Sequence, residues 1–476
     1  MKALPISLLA LVLAGCAIME PGQPPASPVQ AQALGLRDTA VQWPELRWWR
    51  RYGDPQLDAL VARAMAGSPG MLAAQARIAQ ANAALRQARA AQLPQVSAAY
   101  TLTRQRYTAN GAIPEPLAGS VGTDNSLSLD FDYEIDFWGK RRQARQAEQA
   151  RLASAQADAQ AARAMLASAV VQSYLNLQTA YAQQAVLQET VAQRESVARL
   201  AQERFEAGLD TQVQARQAQS AHAQARVQAV QVRTRIAALR NQLAALAGAG
   251  PDLARTIGPA DLAAVPPAAP RDVPLALLAH RPDIVAARLR AQASRHDVAS
   301  AQAAFYPNVN LAAFVGLGSL GTGTLLEAGS RMAGIGPVIE LPLFDGGRRN
   351  AALGNARAQG DLAVADYNET VLTAVRQVAD ALDGLRLIGE ERAAQAQAQQ
   401  AIEQAYALAL DRYRNGLGDY LSVLLAQDGV LQQRQLATEL RMRAYRLDAD
   451  LAYALGGGYS PSQASTATLP CPHHEH

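Results

Sequence analysis

The chain has 476 residues, with 44 Lys and Arg against 41 Asp and Glu and a formal charge of +3 at pH 7. A balance so near neutral gives no footprint for nucleic acid and no polybasic surface. Only Cys16 and Cys471 are cysteines, and beyond the N-terminus no apolar run reaches the roughly eighteen residues of a membrane helix, so neither a disulfide framework nor a transmembrane helix is expected.

Lys2 gives a short positive start, and Leu4 to Leu13 form an apolar core broken by Pro5 and Ser7. Leu13-Ala14-Gly15-Cys16 places small residues ahead of a cysteine, the pattern of a lipobox. The run is too short to span a bilayer and predicts a cleaved signal peptide over residues 1–15. Cys16 then begins the mature chain and carries covalent lipid, the only prosthetic group expected; an ordinary secretory signal with an incidental cysteine is the alternative. Ala17, where inner-membrane retention would favour aspartate, points to the outer membrane of a Gram-negative cell. Each buried acyl methylene adds about 0.8 kcal/mol of anchoring. Residues 16–42, with prolines from Pro21 to Pro28, read as a tether.

The chain then contains itself twice. Pro69 and Pro282 each open a helical stretch, Pro94 and Pro307 each close one, and both pairs lie 213 residues apart. Phe137-Trp138-Gly139 recurs as Phe344-Asp345-Gly346, Arg204-Phe205-Glu206-Ala207-Gly208-Leu209 as Arg412-Tyr413-Arg414-Asn415-Gly416-Leu417, and Ala245-Leu246-Ala247-Gly248 as Ala454-Leu455-Gly456-Gly457. A period of this length is a duplicated fold rather than a solenoid unit. Repeat 1 spans 43–248, repeat 2 spans 275–457, a Pro-rich linker covers 249–274, and 458–476 form a tail.

Each repeat reads as helix, strand, loop, strand, very long helix, tight turn and second long helix. Strands are expected at about 95–107, 126–137, 308–318 and 335–344. From Ser126 to Phe137, Leu127, Leu129, Phe131, Tyr133, Ile135 and Phe137 alternate with polar residues that include Asp130, Asp132, Glu134 and Asp136. A soluble half-buried strand alternates in the same way. Four carboxylates on one face, with Phe137 and Trp138 at one end, favour a membrane strand with an aqueous lumen. Four such strands cannot close a barrel, and an open edge in lipid leaves backbone groups unpaired, so other copies must complete it. Three copies supply twelve strands.

Long helices are expected at about 139–206, 211–247, 348–414 and 420–455, with Gly354, Gly360, Gly384 and Gly389 as weak points in the third. At 1.5 Å per residue the first is roughly 100 Å long. It carries a seam of small residues through Ala147, Ala150, Ser154, Ala157, Ala161, Ala164, Ser168, Val171 and Leu175. A second seam runs through Leu152, Ala155, Ala159, Ala162, Leu166 and Ala169. Two seams imply neighbours on both sides, as a tube wall requires.

Over about residues 43–457 the chain resembles the TolC-like outer-membrane factors, in their lipoprotein branch of OprM and NodT-type channels. The resemblance rests on Trp48-Trp49-Arg50-Arg51-Tyr52-Gly53-Asp54-Pro55-Gln56-Leu57, Leu277-Leu278-Ala279-His280-Arg281-Pro282-Asp283-Ile284, Phe137-Trp138-Gly139, Leu343-Phe344-Asp345-Gly346-Gly347 and Ala454-Leu455-Gly456-Gly457-Gly458. It implies an α+β membrane protein: a homotrimer with a 12-stranded outer-membrane β-barrel continuous with a 12-helix periplasmic α-barrel. It also implies an exit channel of a tripartite efflux system, with a periplasmic adaptor (membrane-fusion) protein, an inner-membrane RND-type pump and outer-membrane lipid as partners.

The resemblance further implies that the turns Gly208-Leu209-Asp210-Thr211 and Gly416-Leu417-Gly418-Asp419 are the hairpin tips that meet the adaptor. In related channels a Leu and an Asp four residues apart on the helix after the second turn narrow the pore. Here the positions hold Leu421 and Leu425, so two leucine rings replace the aspartate ring and give a constriction that gates by dewetting. Asp419 and Asp210 are candidates for a nearby acidic ring. Asp130, Asp132, Glu134 and Asp136 would line the barrel and favour cations.

Other motifs carry no chemistry. Gly316-Leu317-Gly318-Ser319-Leu320-Gly321 fits a dinucleotide pattern but opens no helix and is expected as an external loop. Cys471, His473, His474 and His476 read as a tail rather than a metal site. His222, His280 and His296 lack ligand spacing, and no nucleophile and base pair appears. A periplasmic coiled-coil structural or adaptor lipoprotein is the alternative and would show no pore conductance; a lipid-anchored enzyme would explain the lipobox alone.

Overall fold

A computed structural model describes residues 19, 21, 24–38, 42–263 and 272–460. The expected signal peptide, Cys16, Cys471 and the three terminal histidines lie outside the described residues. The elements are α1 (Pro55–Gly67), α2 (Pro69–Ala90), β1 (Gln95–Arg106), β2 (Val121–Glu134), α3 (Lys140–Glu206), α4 (Gln212–Leu246), α5 (Pro251–Thr256), α6 (Leu277–His280), α7 (Pro282–Ala303), β3 (Asn308–Leu320), β4 (Arg331–Glu340), α8 (Arg348–Arg414) and α9 (Tyr420–Ala454). Helices α3 and α8 each have 67 residues, and α4 and α9 each have 35, so the duplication extends to element length.

The chain forms two compact units. One comprises Ile78–Ala155 and Ala287–Tyr367 with the described residues of Met1–Pro28; the other comprises the described residues of Val29–Arg77, Gln156–Ala286 and Asn368–His476. Each unit draws on both repeats, so the sequence repeat is not the compact unit.

In the first unit the strands form one antiparallel sheet in the order β1-β2-β3-β4. Strand β2 starts five residues before its expected start and stops at Glu134, short of the expected 137. Asp136 explains the early stop: its carboxylate accepts from the Arg141 and Arg142 N–H groups at 3.2 and 2.7 Å, and Gly139 turns the chain at φ 77° into α3. Strand β4 likewise ends at Glu340 rather than 344, because Asp345 accepts from the Gly347 and Arg349 N–H groups ahead of α8. The recurring Phe-x-Gly marks are thus helix starts, not strand ends. Gly316 and Gly318 lie inside β3, so the glycine-rich segment is a strand-to-strand loop only from Gly321 onward.

In the second unit Trp48, Trp49, Tyr52, Leu57 and Val61 pack with Val171, Tyr174, Leu175, Leu243, Met442 and Ala449 in one buried core. Pro55 opens α1 behind Asp54, whose carboxylate accepts from the Gln56 N–H at 2.8 Å. The Tyr52 hydroxyl donates to Asp448 at 2.8 Å, and Arg51 pairs with the same carboxylate. Arg281 is buried, paired with Asp283 and donating to Gln377. A Cβ on Gly456 (φ 102°) would sit 2.0 Å from the His280 carbonyl oxygen. The shared motifs of this unit therefore fix packing and carry no chemistry.

Helix α8 runs unbroken through all four glycines that sequence marks as weak points. At Gly384 a Cβ would stand 2.6 Å from Leu447 Cδ2, so that glycine permits close helix approach. On α3, Ala147, Ala150, Ser154, Ala157, Ala164, Val171 and Leu175 of the first seam are buried, while the second seam is half-exposed in the single chain. No described helix is long and apolar enough to cross a membrane.

Candidate functional surfaces: the sheet faces and the hairpin tips

The antiparallel register sorts the sheet into two faces, because directly opposed residues point the same way. On one face lie Val96 opposite Phe131, Ala98 opposite Leu129 and Tyr100 opposite Leu127. Leu129 faces Val315, Leu127 faces Leu317, Ala313 faces Ile335 and Val309 faces Ile339. This face is apolar and largely exposed, with Val96, Ile335 and Ile339 each more than two-thirds open to solvent. A large exposed apolar face is unstable in water and marks a surface made for another apolar phase. At the end where the strands lead into helices, Trp138 stacks on Tyr306 with ring centroids 4.6 Å apart and donates to the Pro307 carbonyl.

The opposite face carries Gln95, Ser97, Ala99, Thr101, Thr103 and Gln105 of β1 across from Asp132, Asp130, Ser128, Ser126, Asp124 and Gly122 of β2. Asp130 and Asp132 stand on it as expected, and Asp130 accepts from Ser128 at 2.8 Å. Two of the four expected lumen acids differ. Glu134 is paired with Lys140 at 2.9 Å and Arg141 at 2.6 Å, and Asp136 is a helix-start acceptor outside the strand. Asp124 was missed, because Thr123 and Asn125 interrupt the apolar alternation that marks the strand in sequence. It accepts from Tyr107 and Gln105. On β3, Phe314 shares this polar face and lies over Gly334, where a Cβ would meet the ring at 2.6 Å.

The two helix hairpins end in matching turns. Gly208 (φ 72°) and Gly416 (φ 74°) take the left-handed conformation, and the Leu209 and Leu417 N–H groups return to the Arg204 and Arg412 carbonyls at 2.9 and 2.8 Å. Leu209 and Leu417 project into solvent. Thr211 starts α4 with a capping box shared with Gln214, and Asp419 starts α9 by accepting from the Ser422 N–H at 3.0 Å. Hydrogen bonds from the Ser422 side chain and then its N–H hold the Asp419 carboxyl below the usual carboxylate range.

Asp210 does not present a free acid. Its carboxylate accepts from Arg204 Nε at 2.8 Å and from the Tyr413 hydroxyl at 2.7 Å, so it ties the first hairpin to the second. Burial opposes its ionisation, but the bonds from Arg204 and Tyr413 outweigh burial and hold its pKa down. The Tyr413 hydroxyl is pushed up by burial and by the same carboxylate. Behind the pair, Tyr413, Tyr420, Val423, Val197, Ala201 and Ala218 form a small core. Of the two acids expected in a ring, Asp210 is neutralised by its tie, whereas Asp419 is an exposed, ionised helix cap.

Leu421 and Leu425 stand one turn apart on α9, 52 % and 63 % exposed, while Tyr420, Val423 and Ala426 on the other side of the helix are buried. One further step along the same stripe, three residues after Leu425, lies Asp428, bonded to Arg194, whose side chain is only 5 % exposed. Arg194 also donates to the Ala221 carbonyl at 2.9 Å. Asp428 was not singled out in sequence, although its helical spacing from the leucines was visible. No group of three or more His, Cys, Asp or Glu able to hold a metal occurs among the described residues.

An open sheet with one apolar and one polar face, carried on a chain of long paired helices, defines a subunit of an outer-membrane conduit. The chain matches the family described as outer membrane efflux protein over residues 60–249 and 273–457, and it belongs to that family. It is similar to the multidrug resistance outer membrane protein MdtP of Escherichia coli K12, with 33% identity over 460 residues, 94% of each chain. It is also similar to the fusaric acid resistance protein FusA of Burkholderia cepacia, with 37% identity over 75% of this chain and 69% of that protein. Among solved structures, the outer membrane protein VceC from Vibrio cholerae superposes with a TM-score of 0.83 at 36% identity, covering 88% of this chain and 100% of that one. The protein is an outer-membrane efflux channel of the TolC-like fold, and its work is conduction rather than catalysis.

Proposed function

We propose that three copies join their sheets edge to edge into a twelve-stranded barrel, with the apolar face in lipid and the Asp130 and Asp132 face around the lumen. The supporting observation is the open sheet itself: among the described residues β1 and β4 each have one strand neighbour, and the apolar face is largely exposed. An unpaired edge in hydrocarbon costs several kcal/mol per backbone group, and other copies of the same strands remove it. Native mass measurement in mild detergent should give three chains. A stable single chain that still conducts in planar bilayers would overturn this reading.

Residues 1–15 act as a lipoprotein signal, Cys16 receives the lipid, and the channel empties a periplasmic adaptor fed by an inner-membrane RND-type pump. Gly208, Leu209, Thr211, Gly416 and Leu417 meet the adaptor. The tie of Arg204, Asp210 and Tyr413 latches the two hairpin tips together, and Leu421 with Leu425 forms an apolar constriction beside them. Conduction requires the latch to release. Labelled fatty acid should appear on the wild-type protein and not on Cys16→Ser.

A further inference from the structure

The apolar face of the sheet ends differently at its two ends. At the end leading into helices it finishes in the Trp138 and Tyr306 stack. At the opposite end, which carries the two strand-to-strand loops, it finishes in arginine. Arg104 and Arg106 of β1 follow Val96, Ala98, Tyr100 and Leu102 on the same face, opposite Thr123 and Val121. Arg331 of β4 lies opposite Leu317, in the cross-strand row that also holds Leu127 and Tyr100. All three side chains are exposed. Among the described residues none has a carboxylate partner, whereas Arg141 and Arg349 at the helix end are paired with Glu134 and Asp345.

Beneath Arg331 lies a shallow groove of about 720 Å³, lined by Leu127, Leu129, Val315, Leu317 and Ala333. These residues share the apolar face, as the pairs Leu127 with Leu317, Leu129 with Val315 and Val315 with Ala333 require. The groove is therefore apolar along its length and cationic at its mouth. The shape matches an amphiphile with an acyl chain and an anionic head. Guanidinium is the side chain suited to holding phosphate through two parallel N–H bonds.

We infer that Arg331, with its groove, and Arg104 and Arg106 bind the phosphate groups of a phosphorylated glycolipid of the outer leaflet, with one acyl chain in the groove. From register and strand geometry, Arg104 stands about 14 Å further toward the loops than Arg331, and Arg106 about 7 Å beyond that. The three cations thus stand at staggered depths rather than at one point. The inference rests on the reading of the apolar face as lipid-facing. It adds that the channel grips one leaflet chemically instead of floating in either.

The test compares purified wild-type channel with Arg104→Gln/Arg106→Gln/Arg331→Gln and the corresponding triple Lys variant. Each is reconstituted in phosphatidylethanolamine vesicles containing lipid A or enzymatically dephosphorylated lipid A, and bound glycolipid is counted by native mass spectrometry. The wild type should retain lipid A at least about tenfold better than the Gln variant, with the Lys variant between them. Removing the phosphates should abolish the difference. Equal retention by wild type and Gln variant, or retention independent of phosphate, overturns the inference. Co-flotation of the wild type with pure phospholipid vesicles is measured in parallel. Co-flotation without glycolipid preference removes this inference alone, and failure to co-float removes the membrane reading beneath it as well.

Discussion

Tyr413→Phe removes one hydroxyl from the hairpin tie and leaves the ring in place. The ring keeps its packing against Tyr420, 6.0 Å between centroids, and its position under the Arg204 guanidinium at 4.9 Å. What is lost is the 2.7 Å bond to Asp210. A hydrogen bond to a charged acceptor contributes about 1.5–3 kcal/mol net. The Arg204 and Asp210 side chains are 12 % and 13 % exposed, so solvent screens this tie little. At the lower bound, three ties released together amount to roughly 4.5 kcal/mol, a more than thousandfold shift from closed toward open. Planar-bilayer conductance and susceptibility to a large glycopeptide antibiotic should both rise. Asp210→Asn should act in the same direction, and the double variant should fall short of additivity by about 1.5 kcal/mol per chain. Acid should reproduce the effect. The Asp210 pKa is depressed, so its contribution is full above the ordinary value near 3.8 and is lost only as pH falls through the lower folded value. Unchanged conductance in both single variants, with thermal stability intact, would refute the latch.

Leu421→Ala and Leu425→Ala should each raise leak through the closed channel, because a dewetted constriction depends on apolar width; wild-type conductance in both would remove the constriction from α9. Asp130→Asn with Asp132→Asn should lower cation preference in reversal-potential measurements, and an anion-selective wild type would place that face outside the lumen. Gly316→Ala should destabilise by about 1–3 kcal/mol, because its Cβ meets backbone, whereas Gly384→Ala meets only the flexible end of Leu447 and should stay within about 1 kcal/mol; denaturation midpoints in detergent separate the two.

Periodicity made the four strands and the four long helices legible, since period two and an unbroken helical run survive any tertiary context. Strand ends were not legible. Asp136 continues the polar alternation in sequence but is recruited by the first N–H groups of α3, and the same happens at Asp345. Charges were legible as residues and not as charges available to a pore: Glu134 and Asp210 are neutralised by Arg141 and Arg204, contacts that no sequence spacing announces. Asp428 illustrates the converse. Its place on the leucine stripe could be counted from the helix period, but its partner, Arg194, is distant in sequence and could not. The arginines at the loop end were overlooked because their common face depends on a register carried through all four strands.

The unpaired edges of β1 and β4 have a genetic consequence. A channel that closes only by lending each edge to a neighbour cannot be assembled from sound copies alone when a faulty copy is present. In a cell making equal amounts of wild-type chain and of a variant that pairs normally but cannot open, only about one channel in eight would be wholly wild type. Such a variant should be dominant, and resistance should fall far below half although half the chains are sound.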